Sequence, residues 1–96
     1  MELESIRTRS IELVNELGEP SLTLEGGGED RDPGIIVYGP RGPESSVTIL
    51  VRRDTGIPYI MANTAAGSAV VFTFDQDGEP EIHVRDTDGQ DRTLDL

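Results

Sequence analysis

The sequence predicts an all-β domain: an antiparallel meander of about four repeated β-hairpins, closing as a β-prism or a small barrel-like body behind a short N-terminal helix or lead-in. Three observations point there. The chain repeats itself on four glycines, Gly18, Gly42, Gly67 and Gly89, at spacings of 24, 25 and 22 residues. Around each glycine apolar residues alternate with polar ones at period two, the spacing that puts side chains on one face of a strand. The residues beside the glycines, Asn15, Gly39, Asp86 and Asp88, are those that tight turns favour.

The register of the repeat is close. Ile11, Ile35, Ile60 and Ile82 stand seven residues before the glycines, and Leu13, Val37, Ala62 and Val84 stand five before. Five and seven residues after come Val47 with Ile49, Phe72 with Phe74, and Leu94 with Leu96, whereas Leu22 and Leu24 of the first copy fall one position early. Copies two to four share the signature x-Pro-x-Ile through Pro33, Pro58 and Pro80, and Gly56 and Gly78 precede the last two prolines. Proline suits the first residue of a strand, where no ladder donor is needed.

Taken in order, residues 1–9 form a lead-in and residues 10–96 a single repeat domain with copies at about 10–32, 33–57, 58–79 and 80–96. Two readings compete for residues 10–17. Leu3, Ile6, Leu13, Val14 and Leu17 also fit helical spacing, with Glu2 and Glu4 in a favourable first turn. The register of Ile11 and Leu13 with three other copies favours a strand from about Ser10. Glu25 to Gly34 and Arg52 to Gly56 read as polar, exposed linkers between copies.

Composition removes whole classes of function. The 96 residues carry 19 Asp and Glu against 8 Lys and Arg, for a net charge of −11. Every basic residue is Arg, there is no Cys, and His83 is the single histidine. Disulfides, thiolate zinc sites, lysine Schiff bases and cysteine nucleophiles are therefore ruled out. Phosphate backbones and anionic lipid surfaces repel so acidic a chain, so neither nucleic acid nor membrane is an expected partner. No apolar run approaches the roughly 20 residues of a membrane-spanning helix. The expectation is a soluble protein without a signal peptide, with the cytoplasm as its default location.

The repeat offers 16 inward side chains, of which Phe72 and Phe74 are aromatic and Ala62 is small. That is a thin core for the length. Ile36, Tyr38, Tyr59, Met61 and Val71 add apolar groups to the nominally outer face, so both faces of the middle strands ask for cover. A small core with unpaired sheet edges is commonly completed by association, and the expected state is a homo-oligomer, most simply a trimer forming a β-prism.

Candidate chemistry concentrates in two acidic turns, with Asp75, Asp77 and Glu79 around Gly78, and Asp86, Asp88 and Asp91 around Gly89. Asp-x-Asp-Gly resembles part of a calcium loop, which makes Asp75, Asp77, Asp86, Asp88 and Asp91 the candidate metal ligands. Neither turn completes an EF-hand: Val84 and Thr73 stand where its first acid belongs, Asp95 and Val84 where its bidentate Glu belongs. Turn geometry alone accounts for these Asp and Gly residues. His83 lies between Ile82 and Val84 and so on the opposite face, without a recognisable nucleophile motif such as Gly-x-Ser-x-Gly nearby in sequence. Gly26, Gly27 and Gly28 do not cradle phosphate, because no Lys follows and Glu25, Glu29 and Asp30 surround them.

Over residues 75–89, Asp-Gln-Asp-Gly-Glu-Pro-Glu-Ile-His-Val-Arg-Asp-Thr-Asp-Gly, and more loosely upstream from residue 10, the chain resembles uncharacterised prokaryotic proteins built of tandem Asp-x-x-Gly β-hairpin repeats. It is also similar to trimeric β-repeat segments of fibres and spikes. The resemblance implies architecture and oligomerisation, and assigns no functional residue. Copy three departs from it, with Asn63, Thr64, Ala65 and Ala66 in place of the acidic turn. The expected function is that of a non-enzymatic structural, oligomerisation or protein-interaction module without a cofactor. The alternatives are a calcium-binding module using the acidic turns, and an acidic inhibitor or immunity-type protein that blocks a basic protein partner.

Overall fold

The computed structural model describes residues 4–39 and 42–94. Leu3, Glu2 and Leu96, which entered the sequence pattern, lie outside them. The fold is all-β: eight strands, β1 (Ser10–Val14), β2 (Pro20–Glu25), β3 (Gly34–Gly39), β4 (Gly42–Val51), β5 (Pro58–Asn63), β6 (Ala69–Phe74), β7 (Pro80–Arg85) and β8 (Asp91–Leu94). They form one antiparallel sheet in the order β1 to β8, each strand beside its sequence neighbours. No helix occurs among the described residues, and residues 4–9 are a non-helical lead-in tied down where the Gly26 N–H donates to the Arg9 carbonyl at 2.8 Å. Residues 10–14 are strand, which decides the N-terminal competition.

The sheet stays open. β1 and β8 are its two edges, so the barrel-like closure expected as one option does not form within a single chain. The strands run from four residues in β8 to ten in β4, and paired strands carry a right-handed twist that accumulates across a sheet of this kind.

Gly18, Gly67, Gly78 and Gly89 explain most of the connections. Each has φ between 78° and 96°. In each, the glycine N–H donates to the carbonyl three residues earlier, and the residue in that earlier position donates its own N–H to the residue after the glycine, as in Asp75 to Glu79 at 2.9 Å. This is a type I turn closed by a left-handed residue, a common three-residue hairpin loop, and an L side chain at the last position would be strained. Gly78, which both precedes Pro80 and centres an acidic turn, turns the chain as Gly67 and Gly89 do. Gly56, also left-handed, closes a loop one residue longer by donating to the Arg52 carbonyl at 2.7 Å. Gly42 opens β4 opposite Gly39, and the tip between them lies outside the described residues.

The one-residue offset of the first copy is a β-bulge. Leu13 pairs with Leu22 but Val14 pairs with Pro20, leaving Ser21 as an extra residue on β2, its hydroxyl donating to the Leu13 carbonyl at 3.1 Å. The bulge returns Leu22 and Leu24 to the face that carries Ile11 and Leu13.

Candidate functional site

Following the register strand by strand separates two unlike faces. On the first, Ile11 pairs with Leu24, and the row runs on through Ile35, Ile49, Ile60, Phe72 and Ile82 to Leu94. A second row beside it joins Leu13, Leu22, Val37, Val47, Ala62, Val70, Val84 and Arg92. This aliphatic face crosses all eight strands, and over β4 to β7 a third row of Val51, Pro58, Phe74 and Pro80 widens it. Among the described strand residues it bears no carboxylate, and Arg92, on the terminal strand, is its one charge.

The sequence pattern placed the inward positions five and seven residues after each glycine. In copies three and four the glycine turn pairs Ala62 with Val70 and Val84 with Arg92, three residues after the glycine, so these two also stand in the second row. A basic residue on the aliphatic face was thereby missed.

The aliphatic face is also the less sheltered of the two, contrary to its expected role as an inner face. Leu13 is 54% exposed, Ile49 45% and Phe72 48%, and among the described residues no hydrophobic side chain is fully buried. A single sheet has nothing to lay over such a face. The lead-in reaches only one end of it, where Ile6 joins Ile11, Leu24, Ile35 and Ile49 around an open groove of about 470 Å³.

The opposite face is mixed. Its middle holds Ile36, Tyr38, Leu50, Tyr59, Met61 and Val71, all half-buried, with the Tyr59 hydroxyl 3.2 Å from the Met61 sulfur. Its flanks are polar, from Glu12 and Thr23 on one side to Glu81, His83, Arg85 and Asp91 on the other. Across β7 and β8 the pairing brings Thr93 Oγ1 to 3.0 Å from His83 Nδ1, while Glu81 Oε2 lies 3.6 Å from Nε2. Sequence reasoning found no hydroxyl partner for His83; counting outward from the Gly89 turn identifies Thr93. This hydroxyl, imidazole and carboxylate series lies on β7 and β8, and His83 and Thr93 line an open groove of about 380 Å³ together with Tyr59, Met61 and Val71.

The five acids read as candidate metal ligands divide among three places. Asp75 Oδ1 accepts the backbone N–H groups of Asp77 and Glu79 at 2.9 and 3.0 Å. Asp86 Oδ1 accepts those of Asp88 and Gln90 at 3.0 and 3.1 Å. Asn15 does the same for Leu17 and Glu19, which shows that a neutral amide serves the position equally well. Asp77 and Asp88 are exposed at the loop tips. Asp91 faces Arg85, whose Nε and Nη2 donate to its two carboxylate oxygens at 2.7 and 3.1 Å. That fork holds the Asp91 carboxyl below its usual range, and Asp91 in turn raises the Arg85 guanidinium. Among the described residues no three His, Asp or Glu side chains gather where they could hold a metal ion.

Two further contacts tie the linkers down. Asp32 accepts the Arg53 N–H at 2.8 Å, stapling the β2–β3 loop to the β4–β5 turn. Asn63 accepts the Ser46 hydroxyl at 2.8 Å and donates to the Glu44 carbonyl at 2.9 Å, fastening β5 to β4. No helix of the described residues is long and apolar enough to cross a membrane. Comparison with protein-family models, with curated proteins and with solved structures finds no match for the chain.

Proposed function

We propose that the protein is a non-enzymatic assembly module whose working surface is the aliphatic face. The observation that carries this reading is the continuity of that face: two rows of Ile, Leu, Val and Phe across eight strands, uncharged up to Arg92, in a chain whose carboxylates lie on turns, linkers and the mixed face. Contiguous exposed apolar area on this scale marks a surface that another protein covers. The acids keep the remaining surface soluble without touching it. Self-association supplies the hydrophobic interior that one sheet lacks, and it does so without a second gene product of matching shape.

A chain that folds by associating is stabilised by its own concentration. The midpoint of thermal unfolding is therefore expected to rise over a roughly hundredfold increase in protein concentration. An unchanged midpoint in a reversible transition would defeat the reading.

A further inference from the structure

We infer that β8 of one copy pairs antiparallel with β1 of the next, so that the sheet continues from chain to chain. The two edges of the sheet meet in this arrangement, whatever covers the aliphatic face.

The chain already contains such a junction three times. Hairpins β1–β2, β3–β4, β5–β6 and β7–β8 are joined through the ladders β2–β3, β4–β5 and β6–β7. In these ladders the aliphatic row steps from Leu24 to Ile35, from Ile49 to Ile60 and from Phe72 to Ile82. The last hairpin ends with Leu94 in that row, and the first begins with Ile11. Stacked repeats normally stop at terminal units of a different kind. Here the lead-in places Ile6 over the aliphatic face, and among the described residues no strand lies outside β1 or β8.

The two edges match in backbone. The Gly26 N–H donates to the Arg9 carbonyl, which makes these two a hydrogen-bonded pair of the β1–β2 ladder. Such pairs alternate along antiparallel strands, so Ile11 bonds toward β2 while Ser10 and Glu12 aim their N–H and C=O groups outward. The Asp86 N–H donates to the Gln90 carbonyl at the start of the β7–β8 ladder. By the same alternation Arg92 and Leu94 bond toward β7, and Asp91 and Thr93 aim outward. With Leu94 opposite Ile11 of the next copy, Thr93 falls opposite Glu12, and these two exchange both of their outward backbone bonds. The bulge of the first hairpin does not interrupt this edge, because its extra residue, Ser21, belongs to β2.

Side chains agree with that register. Leu94 opposite Ile11 repeats the Leu24–Ile35 pair, and Thr93 opposite Glu12 repeats the Thr73–Glu81 pair. Arg92 falls opposite Leu13, along which its aliphatic stem can lie, and Asp91 falls opposite Val14. No like charges are opposed. Two-fold pairings of a single edge do worse: β1 on itself in full overlap sets Glu12 against Glu12, and β8 on itself centred on Arg92 sets two guanidinium groups together. A contact between two different edges leaves one edge free at each end, so copies add in series or close as a ring.

The chain has no cysteine, so Glu12→Cys and Thr93→Cys each introduce a single thiol, at exposed positions of the mixed face. Opposed hydrogen-bonded residues stand about 5.5 Å apart at Cα, within disulfide reach. When the two variants are mixed at high micromolar concentration and gently oxidised, the disulfide between them is expected to exceed both self-linked products severalfold. A mixed product no more abundant than random pairing, or a predominance of self-linked Glu12→Cys or Thr93→Cys, would overturn the inference. Glu12→Pro supplies a second reading, since the N–H it removes aims outward and the β1–β2 ladder keeps its bonds. Its mass in sedimentation equilibrium is expected to fall below that of the wild type at the same concentration. An unchanged mass would overturn the edge pairing and leave the aliphatic-face reading standing.

Discussion

Ile60 and Phe72 stand directly opposite each other in the β5–β6 register, near the middle of the sheet, and are 43% and 48% exposed. An Ile–Phe cross-strand pair is a favourable sheet contact, but here it forms part of a surface with nothing above it. Within the single chain these central positions stay open to solvent. The same is true of Ile49, Val47 and Val37 in the neighbouring strands.

A carboxylate placed in that pair tests the consequence. Ile60→Asp would desolvate a charge in every copy, at a cost of several kcal/mol per site. Dissociation and loss of β-sheet circular dichroism at micromolar concentration are expected. Thr48→Asp, on the adjacent strand but the mixed face, is expected to leave the assembled mass unchanged.

The turn aspartates act on their own loops. Asp86→Ala removes the acceptor of two exposed backbone N–H groups and is expected to destabilise by about 1 kcal/mol. Asp86→Asn is expected to be nearly neutral, because Asn15 makes the same contacts in the first hairpin. Thermal midpoints of the two variants distinguish this from a ligand role, in which Asn would fail with Ala and calcium would raise the wild-type midpoint.

Glycines fail for two different reasons. Gly78 is left-handed with open space around it, so Gly78→Ala incurs only the conformational penalty, about 1–2 kcal/mol. Gly34 lies where β3 meets β4, and a Cβ there would stand 2.5 Å from the Ile49 carbonyl oxygen and 2.8 Å from the Leu50 Cβ. Backbone cannot yield at that distance without separating the strands, so Gly34→Ala is expected to be the more destabilising of the two in denaturant titration.

Acid should loosen the β8 edge first. Because Arg85 lowers the folded-state Asp91 carboxyl, the pair contributes stability above the ordinary carboxylate value of about 3.9 and loses it as pH falls through the lower folded value. Both groups are exposed, so the effect is small and local. Amide exchange in β8 is expected to quicken on acidification below about pH 4 in the wild type, and to show no such step in Asp91→Asn.

Much of this architecture is legible in the residues. The Ile-x-Leu, Ile-x-Val and Ile-x-Ala pairs locate β1, β3, β5 and β7, and Pro58 and Pro80 mark where β5 and β7 begin. The acidic turn at Gly78 is legible, but the repeat aligned on Gly18, Gly42, Gly67 and Gly89 does not show that Gly78 closes its hairpin as Gly67 and Gly89 do. The bulge at Ser21 is invisible to alternation, since an extra residue and a helical offset leave the same trace in one dimension. Arg92 and the His83–Thr93 contact depend on register, which follows from the Gly89 turn only once its three-residue loop is known. Which face lies uncovered could not be read from alternation, because period two sorts residues into faces without saying what lies above either.

Salt acts on the assembly through the total charge. Each copy carries −11, so the charge of an assembly grows with the number of copies, and their mutual repulsion is screened as ionic strength rises. Association is expected to tighten with added sodium chloride; dissociation with added salt would point to ion pairs holding the copies together.

Whether another copy covers the aliphatic face in the folded protein is read by hydroxyl-radical footprinting at assembling concentration. Phe72 is expected to be protected while Tyr59, on the opposite face of the adjacent strand, stays reactive. Phe72 modified as readily as Tyr59 in a chain that retains its sheet would mean that nothing covers the face.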